Sequence, residues 1–323
     1  MRADGLLTAK GLRLCEFNMG QGIGGPWQAA FMSHWLGVTP DPRDGIRGQA
    51  RDMVVRNGAP VVVGVLDENG PRGASWIETR DLIFWLMQVP GVRAFRVAPS
   101  ALRPKRGRMA DRVRSYDVLY QTESVDTRCP SDPEIVLIGR TLETSTSFAS
   151  DPIDMRIDDK ALMALLSAAA SGQLDERLSH AECALVNKYV PWTRLLGDYP
   201  GGVPVSEALE RRGDLVLKRT RSLNSEHVFA GRQLSQRRWR QLLECGVKGR
   251  LPWVVQERLI PQRTKLATPE GSDRRECMVC PFVYGLSWAG ALVRVAERGP
   301  RPFVIAGRRS VLISVVDRQA SGS

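Results

Sequence analysis

Leu12-Arg-Leu-Cys-Glu-Phe-Asn18, running on into Gly20-Gln-Gly-Ile-Gly-Gly25, is the stretch on which the fold turns. Its first half alternates apolar and polar residues with the period of a strand, and Pro26 to Leu36 beyond the glycines has helical spacing. Strand, glycine turn and helix in that order admit two readings. Gly20, Gly22 and Gly25 fit G-x-G-x-x-G, where dinucleotide phosphates would rest on a helix N-terminus, as in a Rossmann-type NAD(P)-dependent oxidoreductase. That fingerprint wants an apolar strand leading straight into the first glycine and an acid roughly twenty residues later closing a second strand. Here Glu16 and Asn18 end the strand, and Asp41 and Asp44 lie in a Pro-rich segment read as a loop. The other reading starts from Glu16 and Asn18 themselves. Alternate strand residues point to one face, so a carboxylate stands beside an amide oxygen: a hard oxygen pair that suits Mg²⁺, or a strand end capped by two polar side chains.

Outward from this stretch, Pro60-Val-Val-Val-Gly-Val-Leu66 is a short apolar run of the kind buried in parallel sheets, Ile77 to Met87 has helical spacing, and Val92–Val97 and Asp117–Tyr120 read as further strands. Residues 60–140 therefore form a small α/β unit. Asp159 to Ser167 and Asp175 to Asn187 are helical, the second broken by Pro191. Leu215-Val-Leu-Lys218 ends an apolar strand in a lysine, ahead of the polar turn Arg219–Glu226 and a returning strand at His227–Gly231. A nucleotide lid is built this way, with the lysine on phosphates, and so is an ordinary amphipathic hairpin. Ser235–Glu244 is a polar helix carrying Trp239, and Pro252–Leu259 is a strand whose Gln256 and Glu257 would read an adenine edge or mark the strand's exit. A polar loop from Pro261 to Asp273 precedes three strand-like runs at Met278–Tyr284, Gly290–Val295 and Val311–Val316, and Gln319–Ser323 reads as a disordered tail.

Composition narrows the classes. With 323 residues and 43% apolar content the chain builds a proper core, and no uninterrupted apolar run is long enough to cross a bilayer. Met1-Arg-Ala-Asp4 leads into no apolar signal region, so a soluble cytoplasmic protein is expected. The net charge of +11 raises nucleic acid, but the basic residues are interspersed with acids along the chain. The denser runs, Arg103–Arg108 and Arg232–Arg240, read as a solvated loop and a solvated helix face or as a phosphate- or partner-binding patch. Nucleic acid is not the expected partner. Of six cysteines only Cys277-Met-Val-Cys280 has ligand spacing, and without a second pair or clustered histidines it reads as buried strand.

One family contains these pieces in this order. The chain resembles the circularly permuted ATP-grasp proteins, the group that includes the glutathionylspermidine synthetase ligase domain. The resemblance spans essentially the whole chain and rests on seven segments. These are Arg2-Ala-Asp4, Leu14–Asn18, Asp159-Lys-Ala-Leu-Met-Ala-Leu-Leu-Ser167, Asn187-Lys-Tyr-Val-Pro-Trp-Thr-Arg194, Leu215–Lys218, Trp253-Val-Val-Gln-Glu-Arg258 and Tyr284-Gly-Leu-Ser-Trp-Ala-Gly-Ala-Leu-Val-Arg294. It implies an α+β ATP-grasp fold: metal-binding strands in 1–37, an accessory α/β domain of the kind that precedes the ATP-grasp core at 38–150, and a nucleotide-binding part at 151–323. Within the last, the lid would run from about 213 to 262, and closing core strands would occupy 275–323.

It further implies that Arg2 contacts the transferred phosphoryl group and that Asp4, Glu16 and Asn18 hold Mg²⁺. Lys188 and Lys218 would bind ATP, Gln256 and Glu257 the adenine edge, and Arg294 would face the reacting phosphate. The implied reaction is ATP- and Mg-dependent ligation of a small-molecule carboxylate to an amine through an acyl phosphate, with self-association left open. The sequence departs from the pattern in having no glycine between Lys218 and Gly231, and in lacking an asparagine within Phe303–Arg309. A catalytically degenerate relative that binds nucleotide or a partner is thus the alternative.

Overall fold

A computed structural model describes residues 1–18, 29–30, 41–67, 76–121, 133–149, 159–175, 178–222, 227–268, 271–285, 287–296 and 310–312. The Gly20–Gly25 run, most of the Pro26–Leu36 helix and the Gln319–Ser323 tail lie outside these residues.

Among the described residues, four sheets organise the chain. The largest is antiparallel and holds β1 (Arg2–Thr8), β2 (Gly11–Asn18), β14 (Arg263–Thr268), β15 (Gly271–Tyr284), β16 (Ser287–Ala296) and β17 (Ser310–Leu312). Its order is β17-β16-β15-β1-β2, with β14 also paired to β15. β1 is thus an interior strand, bonded along both edges. It folds back on β2 through a tight turn closed at Thr8↔Gly11, where Gly11 takes φ 90°, a conformation costly for any residue with a Cβ. Because β2 pairs antiparallel with β1, it does not open a parallel βαβ unit, and the dinucleotide reading of the first glycine run fails on topology.

A parallel sheet of order β4-β3-β8-β9 comprises β3 (Val61–Leu66), β4 (Val92–Val97), β8 (Val118–Gln121) and β9 (Ser147–Phe148). Helices α1 (Pro42–Asn57) and α2 (Trp76–Met87) cover one face, packing Ile46, Met53, Leu82 and Leu86 on Val61, Val63 and Val65. Helix α3 (Pro133–Leu142) and the small meander β5 (Arg103–Lys105), β6 (Arg108–Ala110) and β7 (Ser115–Tyr116) cover the other face through Leu137, Met109 and Tyr116. Burial on both faces is why β3 is an unbroken apolar run. The segment around Asp41 and Asp44, read as a Pro-rich loop, is instead the start of α1. Asp41 caps it by accepting from the Arg43 backbone N–H, and Pro42 occupies the first turn, where its missing N–H costs nothing. Helix α1 also packs on β15 and β16, so closely that a Cβ on Gly45 would come within 2.6 Å of the Tyr284 ring.

The second antiparallel sheet has order β10-β13-β11-β12, from β10 (Thr193–Leu195), β11 (Leu215–Arg219), β12 (Val228–Ala230) and β13 (Trp253–Glu257). Four helices accompany it: α4 (Ala161–Ala169), α5 (His180–Tyr189), α6 (Val205–Glu210) and α7 (Gln236–Lys248). Leu215, Leu217 and Val255 face Ala208, Trp239 and Leu243 of α6 and α7. Residues of opposite parity, Val216, Lys218 and Gln256, face the other way. Helix α5 begins at His180 rather than Asp175, because Ser179 and Glu182 form a reciprocal capping box there.

The polar stretch Pro261–Asp273, expected as a loop, contributes β14 and the start of β15, paired from Arg263↔Glu276 to Thr268↔Gly271. It is polar on both faces, so it lacks the alternation by which strands are recognised. Cys277 and Cys280 face opposite sides of β15: one packs with Val293 and Val295, the other with Phe282, Ala289 and Leu292. Among the described residues no helix is long and apolar enough to cross a membrane.

Trp239 is wholly buried, and its indole N–H donates to the Ala208 carbonyl at 3.0 Å. Trp239→Phe should keep the fold yet leave that carbonyl unpaired, lowering stability by about 1–3 kcal/mol, read as a lower urea midpoint at unchanged slope.

Candidate functional site

The register of the first hairpin pairs Arg2 with Asn18 and Asp4 with Glu16. All four polar side chains therefore share one face in directly opposed couples. Two carboxylates facing each other repel, and cations offset the repulsion. Arg2 grips Asp4 with a two-pronged fork, Nε to Oδ1 at 2.7 Å and Nη2 to Oδ2 at 3.0 Å. Arg294, on β16 two strands from β1, places Nη1 3.9 Å from Asp4 Oδ2. Lys160 places Nζ 3.5 Å from Glu16 Oε2. Burial alone would lower the pKa of Arg2, but Asp4 more than compensates and holds it above its usual value.

The hairpin's second property is an irregularity. Pairing steps from Asp4↔Glu16 to Gly5↔Leu14, leaving Cys15 as the extra residue of a β-bulge. The Cys15 carbonyl accepts from Lys218 Nζ at 3.1 Å and from Gln256 Nε2 at 3.4 Å. The bulge thus joins the largest sheet to the second antiparallel sheet. Lys218 also donates to Gln256 Oε1 at 2.8 Å, so two of its three N–H groups are spent on neutral acceptors. It is only 7% exposed, and among the described residues no carboxylate forms an ion pair with it. A buried ammonium without a counter-charge is costly, and the remaining donor favours an anion.

The sequence reading missed Lys160, quoting it only as part of a helix. It precedes the first turn of α4, is 8% exposed, and donates to the Ser222 carbonyl at 3.0 Å while facing Glu16. The available signal was a lysine at the N-terminus of an apolar helix, where the macrodipole disfavours a cation. Lys188 lies elsewhere, on the exposed side of α5, with Nζ 5.2 Å from the Tyr189 ring. What its segment brings to β2 is backbone: Arg13 donates to the carbonyls of Asn187, Lys188 and Val190 at 2.9–3.1 Å, satisfying the end of α5. Gln256 is buried at the sheet's centre, and half-buried Glu257 ends β13 with its N–H on the Trp192 carbonyl.

A hard divalent cation asks for oxygen donors with lone pairs to spare. Both Asp4 oxygens are engaged by Arg2. Glu16 is partly open, and Asn18 donates through Nδ2 to the Arg2 carbonyl at 3.4 Å, leaving Oδ1 as its acceptor end. Glu16 and Asn18 thus have the hard oxygen donors that a Mg²⁺ would require. Asp4 serves first as the anchor of Arg2. Among the described residues no three His, Cys, Asp or Glu side chains form a metal cage of their own.

The turn after Lys218 is tied down over its described half. Thr220 donates twice to the Pro252 carbonyl, Arg221 pairs with Asp159 at 2.9 Å, and Lys160 holds Ser222.

In structure the chain is similar to a glutathione synthetase-like effector from Globodera pallida in its apo form. Identity is 11% and the TM-score 0.54, over 91% of this chain and 72% of that one. It is also similar to a putative gamma-glutamylcysteine synthetase from Methylobacillus flagellatus KT, at 11% identity and TM-score 0.53, over 93% of this chain and 76% of the other. By sequence it matches no protein-family model and no curated protein. The fold is α+β, of the ATP-grasp kind.

Removing Arg2 alone leaves buried Asp4 with only the longer Arg294 contact, so Arg2→Leu should cost about 3–5 kcal/mol in denaturant unfolding, and adding Asp4→Leu should recover part of that loss. Burial pushes the Cys15 thiol up to about 11 despite the opposing pull of Lys218, so it stays protonated at neutral pH. At pH 8 alkylation should label exposed Cys245 and spare Cys15, whose rate then rises about tenfold per pH unit until its pKa is reached, as peptide mass mapping would show.

Proposed function

We propose that the chain is an ATP- and Mg²⁺-dependent carboxylate–amine ligase that forms an amide or peptide bond through an acyl phosphate, releasing ADP and phosphate. The observation that carries this reading is Lys218: a buried cation with no carboxylate partner among the described residues, one donor to spare, and a place beside the Arg2–Asp4–Glu16–Asn18 face. That is the arrangement a polyphosphate neutralises. Arg2, Lys160, Lys218 and Arg294 supply the fixed positive charge, with Lys160 taking the place assigned to Lys188 from sequence. Glu16 and Asn18 hold the metal, which when bound neutralises charge on the phosphoryl oxygens. Glu257 stands at the adenine end.

Attack of the substrate carboxylate on the γ-phosphorus builds negative charge on oxygens already faced by arginines, so little reorganisation is needed as the bond changes. Residues 213–262 act as the lid that keeps water from the acyl phosphate, and 38–150 as the accessory α/β domain. The substrates are a small-molecule carboxylate and an amine, and the setting is the cytoplasm.

A second reading, a nucleotide binder without turnover, draws on the turn after Lys218. It has no glycine, and its described half is tied to Asp159, Lys160 and Pro252.

Calorimetry with ATP and Mg²⁺, followed by phosphate release with panels of acids and amines, separates the two. Lys218→Ala and Glu16→Ala should each reduce ADP formation at least about a hundredfold while the protein still folds, as circular dichroism would show. Undiminished turnover in both variants removes the site; binding with no turnover for any substrate pair favours the second reading.

A further inference from the structure

Gln256 is the residue whose expected role fits its surroundings least. It is 3% exposed, and each end of its amide is already engaged by the protein. Oε1 accepts from Lys218 at 2.8 Å, while Nε2 donates to Thr193 Oγ1 at 3.1 Å and lies 3.4 Å from the Cys15 carbonyl. A base reader needs N–H groups and an oxygen free to turn to the base; here the NH₂ is spent on protein acceptors and the oxygen is held against the ammonium.

Thr193 decides which way round that amide sits. It is fully buried, and its own hydroxyl donates to the Pro191 carbonyl at 2.9 Å. With its proton committed there, Oγ1 has only lone pairs to turn towards Gln256, so the NH₂ end must face it and the oxygen must face Lys218. The reversed amide would set NH₂ against the ammonium and oxygen against the hydroxyl lone pairs. Thr193 itself is fixed, its N–H donating to Ser167 Oγ at 3.1 Å, and the carbonyl of the same peptide, that of Trp192, accepts from the Glu257 N–H.

We propose that Thr193 and Gln256 are a positioning pair for Lys218. Donation runs in one direction, from Lys218 to Gln256, from Gln256 to Thr193 and from Thr193 to the Pro191 carbonyl. It holds the ammonium between Gln256 Oε1 and the bulged Cys15 carbonyl, with its third N–H presented for a phosphate. The pair acts through the lysine and does not touch the base. This rests on the nucleotide reading only in naming what Lys218 meets; the positioning itself is measurable without nucleotide.

The variants are Thr193→Val, which keeps the shape and removes the hydroxyl, Thr193→Ser, which keeps the hydroxyl, and Gln256→Leu. Acetic anhydride labelling of Lys218, followed by mass spectrometry on the free protein, should rise several-fold in Thr193→Val and Gln256→Leu and stay at the wild-type level in Thr193→Ser. Equal labelling in all four proteins overturns the proposal. Calorimetry then reads the consequence. ATP affinity should fall about tenfold in Thr193→Val with adenosine affinity unchanged, Thr193→Ser should match wild type, and Thr193→Val should have no further effect once Lys218→Ala is present. A Gln256→Leu variant that loses adenosine and ATP binding equally would make Gln256 a base reader and sink the idea. So would a Thr193→Ser variant as impaired as Thr193→Val. Absence of ATP binding in wild type would count against the nucleotide reading alone, since the labelling result stands without it.

Discussion

One carbonyl holds the candidate site together. In an unbroken hairpin Cys15 would face a partner on β1, and its C=O would join the ladder or point to solvent. The bulge between Glu16 and Leu14 takes it out of register and turns it towards β11 and β13, where Lys218 and Gln256 donate to it. Strands far apart in sequence, β2 on one side and β11 and β13 on the other, and with them two antiparallel sheets, are thereby pinned where Glu16 and Asn18 stand. A second tie, Arg13 on the last carbonyls of α5, fixes the same strand from its other half. Both ties use backbone carbonyls, so they depend on strand and helix geometry more than on side-chain choice at the accepting residue.

Charge is arranged around that joint with little margin. Asp4 and Glu16 are opposed on one face, and Arg2, Arg294 and Lys160 reach that face from three different elements. Burying this many ionised groups is unfavourable unless each is paired or hydrogen-bonded. Asp4 and Arg2 meet the condition within one strand. Lys160 meets it by bridging Glu16 and the turn at Ser222. Among the described residues Lys218 meets it with neutral acceptors only. The imbalance sits at one point of an otherwise compensated cluster, which is how a binding site differs electrostatically from a structural ion-pair network.

Much of this was legible in the residues. Alternation in Leu12–Asn18 exposes a strand with Glu16 and Asn18 on one face, and the family resemblance, not periodicity, set Arg2 and Asp4 beside them. Pro60–Leu66 announces a strand buried on both faces, and Lys218 ending an apolar strand marks the lid-like hairpin. The polar hairpin of β14 and β15 was not legible, because neither face is apolar and no periodicity survives. Helix α1 was hidden by Pro42, which reads as a breaker unless one knows that it stands in the first turn. Lys188 looked like the partner of Lys218 because it is a lysine in a matching segment, yet α5 turns its ammonium to solvent while Lys160 faces Glu16.

Local periodicity and cap chemistry, which act within a few residues, determined which segments are strands, which are helices and which polar side chains share a strand face. Tertiary structure alone decided which cations meet those faces. Lys160 to Glu16, Lys218 to the Cys15 carbonyl and Arg294 to Asp4 are contacts between elements far apart in the chain. Their existence depends on a one-residue bulge and on the register of three sheet pairings, and a shift of one residue in any of these would send the same side chains to the opposite face.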